Sequence, residues 1–288
     1  MSTNQVDNKR IAKNTVMLYI RMLLTMAVAL YSSRVVLNSL GVEDYGIYNV
    51  VAGVVSMFGF LNASMVAATQ RFMSYSLGSD DSSQIAKVFS TALLVHMLIA
   101  LAILVLAETI GLWFFYYKLV IPAERMTAAF WVYQFSIIAF ILNVIRVPDN
   151  SAIVAYEKMS AYAYFSIIEV ILKLAIVLVL PHLPYDKLIT YAILMLVVVF
   201  MTNIIYRLYV SYNFKPISFI PKYEKTLFKE MSHKFSDIVL AFAAGVMLAA
   251  AVLGLIIPSL ERGGKYGIII TVIGIFVGAA CLNLIDRL

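Results

Sequence analysis

Eight long, predominantly apolar stretches run along this 288-residue chain, near positions 15–36, 47–68, 88–115, 126–146, 161–180, 188–209, 238–258 and 266–285. Each matches the roughly 20 helical residues needed to cross a bilayer. Strands of a membrane β-barrel would be shorter and would alternate polar with apolar residues, which these stretches do not. With 62% apolar and only 13% charged residues, the chain cannot cover itself with an ordinary solvated surface. The expected fold is therefore all-α: a polytopic membrane protein with about eight transmembrane helices.

The run following Lys9, Arg10 and Lys13 is too long for a cleavable signal peptide and has no small-residue cleavage site, so it reads as the first span. The single cysteine, Cys281, falls inside the last span, which rules out a disulfide framework or a thiolate metal site. The tail and even-numbered loops hold 14 Lys and Arg residues, the odd-numbered loops six. Under the positive-inside rule both termini are then cytoplasmic, in the cell inner membrane. The net charge of +6 reads as a topology signal, and no nucleic-acid partner is expected.

Composition changes near Phe235. Seven of the 13 glycines lie in the last 54 residues, against four of the 37 Phe, Tyr and Trp residues. The expected organisation is a six-helix lobe over 1–210, a cytoplasmic amphipathic linker over 211–234 and a two-helix segment over 235–288. Within the linker, Leu227, Phe228, Met231 and Phe235 recur at helical spacing among lysines, a pattern suited to lying on the cytoplasmic leaflet and its lipids. Ala241, Gly245 and Ala249 in span seven, and Gly274 and Gly278 in span eight, are small-residue ladders of the kind that lets membrane helices approach closely.

Polar residues inside the spans are the candidates for chemistry. Asn14, Arg21, Thr25 and Ser32 fall within about 40° of one another on span one at 100° per residue. Mid-span arginine is costly unless it faces a bundle interior or a watery cavity, so Arg21 is a functional candidate, the alternative being an ion pair with a neighbouring span. Arg34, near the outer end, is expected to snorkel or to pair with Glu43 or Asp44. Tyr162, Ser166, Glu169 and Lys173 share about 60° of span five. Glu169 and Lys173 stand four apart in the order that suits a pair within one helix, either as structural glue or with Lys173 turned to a cavity. Arg207, which shares a face with Asn203, is expected to snorkel to the cytoplasm.

His96, His182 and His233 are scattered, with no Cys or carboxylate at ligand spacing, and no nucleotide-binding or hydrolase motif occurs. No metal, cofactor or catalytic residue is expected, and His96 reads as a hydrogen-bonded packing residue. Cations facing inward from a bundle without catalytic motifs suit an anionic cargo. A lipid-linked phosphate or diphosphate fits arginine, which stays charged in low dielectric and grips phosphate with two donors.

The segment LGVEDYGIYNVV at 40–51, with AATQRFMSYSLG at 67–78 and DNSAIVAYEKMSAYAYFSIIEVILKLAIV at 149–177, resembles the first lobe of Wzx-type polysaccharide and O-antigen flippases. These belong to the multidrug/oligosaccharidyl-lipid/polysaccharide exporter superfamily, and the similarity covers about 8–232. It implies transport of polyprenyl-diphosphate-linked oligosaccharide across the inner membrane, for polysaccharide or lipopolysaccharide biosynthesis, by alternating access between two lobes. It also implies basic residues in the cavity, here Arg21, Lys173 and Arg71, although a loop arginine such as Arg71 ordinarily only sets topology. Glu169, Asn14 and Thr25 complete the expected substrate-binding set.

Residues 235–288 resemble two spans of ZIP-family metal transporters, without that family's H-N-x-P-E-G-like ligand motif. With neither half complete, a joining artefact or a non-functional fusion is expected at the junction. The competing readings are a ZIP-like metal transporter fragment and a non-transporting membrane subunit that binds polysaccharide-assembly enzymes. Homodimerisation, each copy supplying a lobe, is a further expectation.

Overall fold

The computed structural model describes residues 3–57, 59–78 and 82–214, and, further on, residues 228–229, 245, 252–258, 268–269 and 271–274. The chain divides into two compact units, Met1–Ser232 and His233–Leu288. The expected linker and last two spans lie almost wholly outside the described residues, as does the ZIP-like resemblance. Of the small-residue ladders, only Gly245 and Gly274 are described, both helical.

The first unit is built from α1 (Thr3–Ser56), α2 (Gly59–Leu77), α3 (Ser82–Leu106), α4 (Leu112–Lys118), α5 (Met126–Ile145), α6 (Val147–Ala155), α7 (Met159–Val179) and α8 (Lys187–Asn213). Every regular element among the described residues is helical. Five continuous helical stretches are long and apolar enough to cross a membrane: Asn14–Ser56, Gln84–Lys118, Ala123–Ala155, Met159–His182 and Lys187–Asn213. The protein is an all-α polytopic membrane protein. Large apolar side chains such as Leu30, Trp113, Ile171 and Phe200 point outward, where hydrocarbon rather than water is their solvent.

Local residue chemistry sets the joints. Spans one and two are expected as separate helices, yet α1 runs through the first and into the first half of the second, interrupted only at Gly41 (φ 82°, ψ 170°), a left-handed conformation that glycine adopts without a Cβ clash. The expected second span instead breaks after Ser56, whose hydroxyl donates to the Gly53 carbonyl at 2.8 Å. Between α6 and α7, Glu157 takes a positive φ of 55°. Its N–H donates to Val154 O and that of Lys158 to Ile153 O, the paired bonds of a Schellman stop. A π-turn, Ala107–Gly111, joins α3 to α4 in one long helix.

Packing pairs α5 with α8, α1 with α7 and α2 with α6. The central core joins Val51, Ala107, Phe115, Val132, Tyr133 and Leu188. A second cluster gathers Met73, Phe89, Ile153, Tyr206 and Val210.

At one end of the bundle, Arg125 clamps three elements. Its Nε donates to Asp44 Oδ1 at 2.7 Å, Nη2 donates to Asp44 Oδ2, and Nη1 reaches Asp186 Oδ2 at 2.7 Å. Asp44 follows the Gly41 break, and Asp186 caps α8 by accepting from the N–H groups of Leu188 and Ile189. Asp44 is thereby committed to Arg125 rather than to the exposed Arg34. Partial burial pushes the Asp186 carboxyl up, but the Ile189 N–H, Arg125 and the Leu188 N–H outweigh it and hold the group below the usual carboxylate range.

A depressed carboxylate stabilises the fold above its unfolded titration range and loses that contribution as pH falls through its folded value. Arg125→Met is therefore expected to lower the apparent unfolding temperature in detergent by about 5 °C near neutral pH. The gap from wild type should begin to narrow below about pH 4 and close as pH falls through the lowered titration range of Asp186. Equal unfolding temperatures at neutral pH would remove the clamp from this account.

Candidate functional site

The polar stripes of α1 and α7 meet. Arg21 Nη1 donates to Ser166 Oγ at 3.3 Å, and its guanidinium lies over the Tyr162 ring, 4.7 Å from the centroid. Ser166 passes its own proton to the Tyr162 carbonyl at 3.0 Å, leaving its oxygen free to accept from Arg21. Among the described residues no carboxylate lies within ion-pair distance of Arg21, so it is held by a hydroxyl and a ring face. Thr25 hydrogen-bonds to the Arg21 carbonyl at 2.8 Å and is satisfied within its own helix. Asn14 is half-buried two turns earlier.

Further along the α7 stripe, Lys173 Nζ donates to Glu169 Oε1 at 2.6 Å. Four residues at 100° place the two side chains one above the other. The second Glu169 oxygen accepts from Arg146 Nη1 at 3.4 Å. Arg146 also donates to Thr202 Oγ1 at 3.1 Å and Asn143 Oδ1 at 2.9 Å, and lies over the Tyr206 ring at 5.0 Å. Counted in the sequence as a loop charge, Arg146 instead ties together α5, α7 and α8. Its signal was the spacing Asn143–Arg146–Asp149, which continues a helical face past the expected end of span four and through Pro148, the kind of proline a helix tolerates in its first turn.

Arg207 likewise departs from the snorkelling expected of it. Its Nη1 donates to Asp149 Oδ1 at 3.0 Å, and its guanidinium lies over Phe89 at 5.5 Å. Asp149 is only 4% exposed, and a carboxylate buried so deeply requires a cation more than the cytoplasm requires Arg207. Asn203 bonds within α8, to the Val199 carbonyl at 2.8 Å.

An open-sided cavity of about 280 Å³ lies among α1, α5, α7 and α8, lined by Tyr48, Ser56, Phe135, Asn143, Lys173 and Leu196. Lys173, with 38% of its side chain exposed, presents a cation to this space while Glu169 holds it from behind. Asn143 lines the cavity and also accepts from Arg146, so the charge network is one residue removed from the open space. Arg71 takes no part: it is exposed on α2, and none of the contacts around Arg21 or Glu169 involves it. His96 is fully buried, with Nδ1 2.7 Å from the Ala92 carbonyl. His233 lies outside the described residues. Among those residues no three His, Cys, Asp or Glu side chains gather as metal ligands.

No family model matches the sequence, and no curated protein does. Solved structures do match the fold. One is described as the outward-facing conformation of a multidrug resistance MATE family transporter of the MOP superfamily; it is 14% identical, with a TM-score of 0.63 over 95% of this chain. Another is a MOP superfamily transporter from Pyrococcus furiosus whose binding pocket is described as reversed in polarity; it is 15% identical, with a TM-score of 0.60 over 94% of this chain. The chain spans 60% of the length of each. It has the fold seen over that part of MOP superfamily transporters.

Proposed function

We propose that this chain is a transporter that carries an amphipathic anion across the membrane by alternating access, with no enzymatic step. The reading rests on one observation: Arg21, Arg146 and Lys173 lie along one face of α7 with a single carboxylate, Glu169, among them. Three cations against one anion leave a local surplus of two positive charges in a low-dielectric bundle, where a phosphate-bearing cargo supplies the missing counter-charge. The cargo proposed is a polyprenyl-diphosphate-linked oligosaccharide, moved across the inner membrane for polysaccharide or lipopolysaccharide assembly, with both termini cytoplasmic.

Arg21 grips phosphate oxygens, since no carboxylate among the described residues competes for its fork. Lys173 attracts the anion at the cavity wall, Glu169 holds Lys173 in place, and Thr25 and Asn14 line the approach along α1. Arg71, exposed on α2, meets the headgroup before it enters. Polysaccharide-assembly enzymes, or a second copy of the chain, are the proposed protein partners.

Arg21→Ala is expected to abolish lipid-linked oligosaccharide export when supplied to cells lacking the native gene, with membrane insertion unchanged. Arg21→Lys should restore only part of it, because an ammonium has no two-donor fork. Export by Arg21→Ala at the wild-type rate would sink the role given to this residue. Arg146→Met should behave differently, costing about 2–4 kcal/mol of stability by leaving Glu169, Asn143 and Thr202 short of a donor, read as an early thermal transition. Lys173→Met, at the partly solvated cavity wall, should cost less than about 1 kcal/mol while still impairing export.

A further inference from the structure

The outward face of the helical stretch Gln84–Lys118 changes character along its length. Its exposed side chains are aliphatic at Leu98, Leu101, Val105 and Ile110, then aromatic at Trp113, Tyr116 and Tyr117, and end on Lys118. Aliphatic groups suit hydrocarbon, whereas Trp and Tyr concentrate at headgroup level, where the ring meets acyl chain and its N–H or O–H meets water. A lysine immediately beyond them belongs in the wet layer.

α5 returns from the same end and repeats the order in reverse. Glu124 and Arg125 precede it, Trp131 is 46% exposed, and exposed Ile138 lies two turns further in. Trp113 stands five residues before the end of α4 and Trp131 five after the start of α5, so both lie about 7.5 Å inside the turn. Tyr116 stacks on Phe130 at 6.5 Å and Phe130 meets Trp131 edge-on at 5.9 Å, which holds the aromatic groups of the two helices at one level. Across the bundle, exposed Tyr185 precedes Asp186, which Arg125 binds at this same end. From there the 27 residues of α8 rise about 40 Å toward exposed Tyr212, the thickness of hydrocarbon with its two interfaces.

The polar atoms of this surface are unanswered within the protein. Among the described residues, neither indole N–H nor the hydroxyls of Tyr116 and Tyr117 hydrogen-bond to another residue, and Lys118 has no carboxylate within ion-pair distance. Its ammonium lies over the Trp113 ring at 5.6 Å, and a ring face offsets only part of a positive charge. The surface is poorly suited to another membrane helix: LWFFYYK, the sequence of α4, has none of the small residues that allow close approach, and lysine is depleted from protein interfaces. A phosphate above a layer of acyl chain supplies what these side chains lack.

We propose that Trp113, Tyr116, Tyr117, Lys118 and Trp131 form a surface that binds phospholipid at the glycerol and phosphate level of one leaflet. Lys118 donates to a phosphate oxygen, the indole and phenol groups donate to phosphate and ester oxygens, and the ring faces lie against the upper acyl chains. Bound in this way, the end of the bundle that carries the Arg125 clamp is held at a fixed depth. At 100° per residue Trp131 shares its outward direction with Ile138 and is turned more than 100° from Ser136 and Asn143 on the cavity, with Phe135, stacked on it at 5.7 Å, standing between. The lipid surface therefore stands or falls independently of what the cavity carries.

Both tryptophans of the sequence belong to this surface, so the tryptophan fluorescence of the full chain reports on it alone. In vesicles of phosphatidylcholine and phosphatidylglycerol, emission is expected to be quenched most by a lipid nitroxide near the glycerol backbone, and less by one at the acyl-chain end or by aqueous iodide. Trp113→Phe and Trp131→Phe, each leaving one reporter, should give the same depth. In Trp131→Phe, a nitroxide carried on phosphatidylglycerol, whose phosphate has no choline cation competing for it, should quench Trp113 more than the same nitroxide on phosphatidylcholine. Adding Lys118→Gln should abolish that preference and leave the depth unchanged. Strongest quenching from the acyl-chain end or by iodide would overturn the assignment. So would tryptophans that no lipid quencher reaches, the result if a second copy or another protein covers them, and so would equal quenching by the two labelled lipids in Trp131→Phe.

Discussion

A guanidinium inside a helical bundle must be answered from every side, and Arg146 is where this fold meets that demand. It stands at the joint between α5 and α6, between N-terminal Asn143 and C-terminal Asp149. Its donors reach Asn143, Thr202 and Glu169. Each of those partners belongs to a helix that also packs through broad apolar contacts, which are non-directional. The polar contacts fix rotation and register, which apolar packing among interchangeable Leu, Ile and Val side chains leaves less closely determined. Asp149 and Arg207 extend the same logic to α6 and α8, and Arg125 applies it at the end of the bundle.

The arrangement separates two kinds of cation. Arg125, Arg146 and Arg207 are bound to carboxylates, and they hold helices together. Arg21 rests on a hydroxyl and a tyrosine face, and Lys173 shares its carboxylate with Arg146 while it borders open space. Counter-charge separates the two: a guanidinium already satisfied by a buried acid has little to offer a passing anion, whereas one lacking an acid partner still has attraction to spend.

Legibility in the sequence followed the range of the interaction. The Glu169–Lys173 pair was readable because helix geometry alone brings residues four apart together. The prominence of Arg21 was readable because a mid-span arginine is costly wherever its helix packs. Its partners were only half readable: the stripes Asn14–Arg21–Thr25 and Tyr162–Ser166–Glu169–Lys173 are visible separately, but 145 residues separate Arg21 from Ser166. Arg146 and Arg207 were undervalued because their environments are set by other helices. A charge just past an apolar run looks the same whether the chain leaves the membrane there or turns back into the core.

What this sequence determined by itself was the class of structure: long apolar runs can satisfy their backbone polar groups in hydrocarbon only within the helix, so an all-α membrane protein follows from composition and length. The joints were not read from the sequence: that Asp186 caps α8 and that Gly41 interrupts a continuous α1 came from the structure. Only the tertiary structure decided which charges are neutralised and which remain available. That outcome depends on distances of about 3 Å between side chains far apart in the chain, and the many apolar residues that set those distances are nearly equivalent to one another when read as sequence.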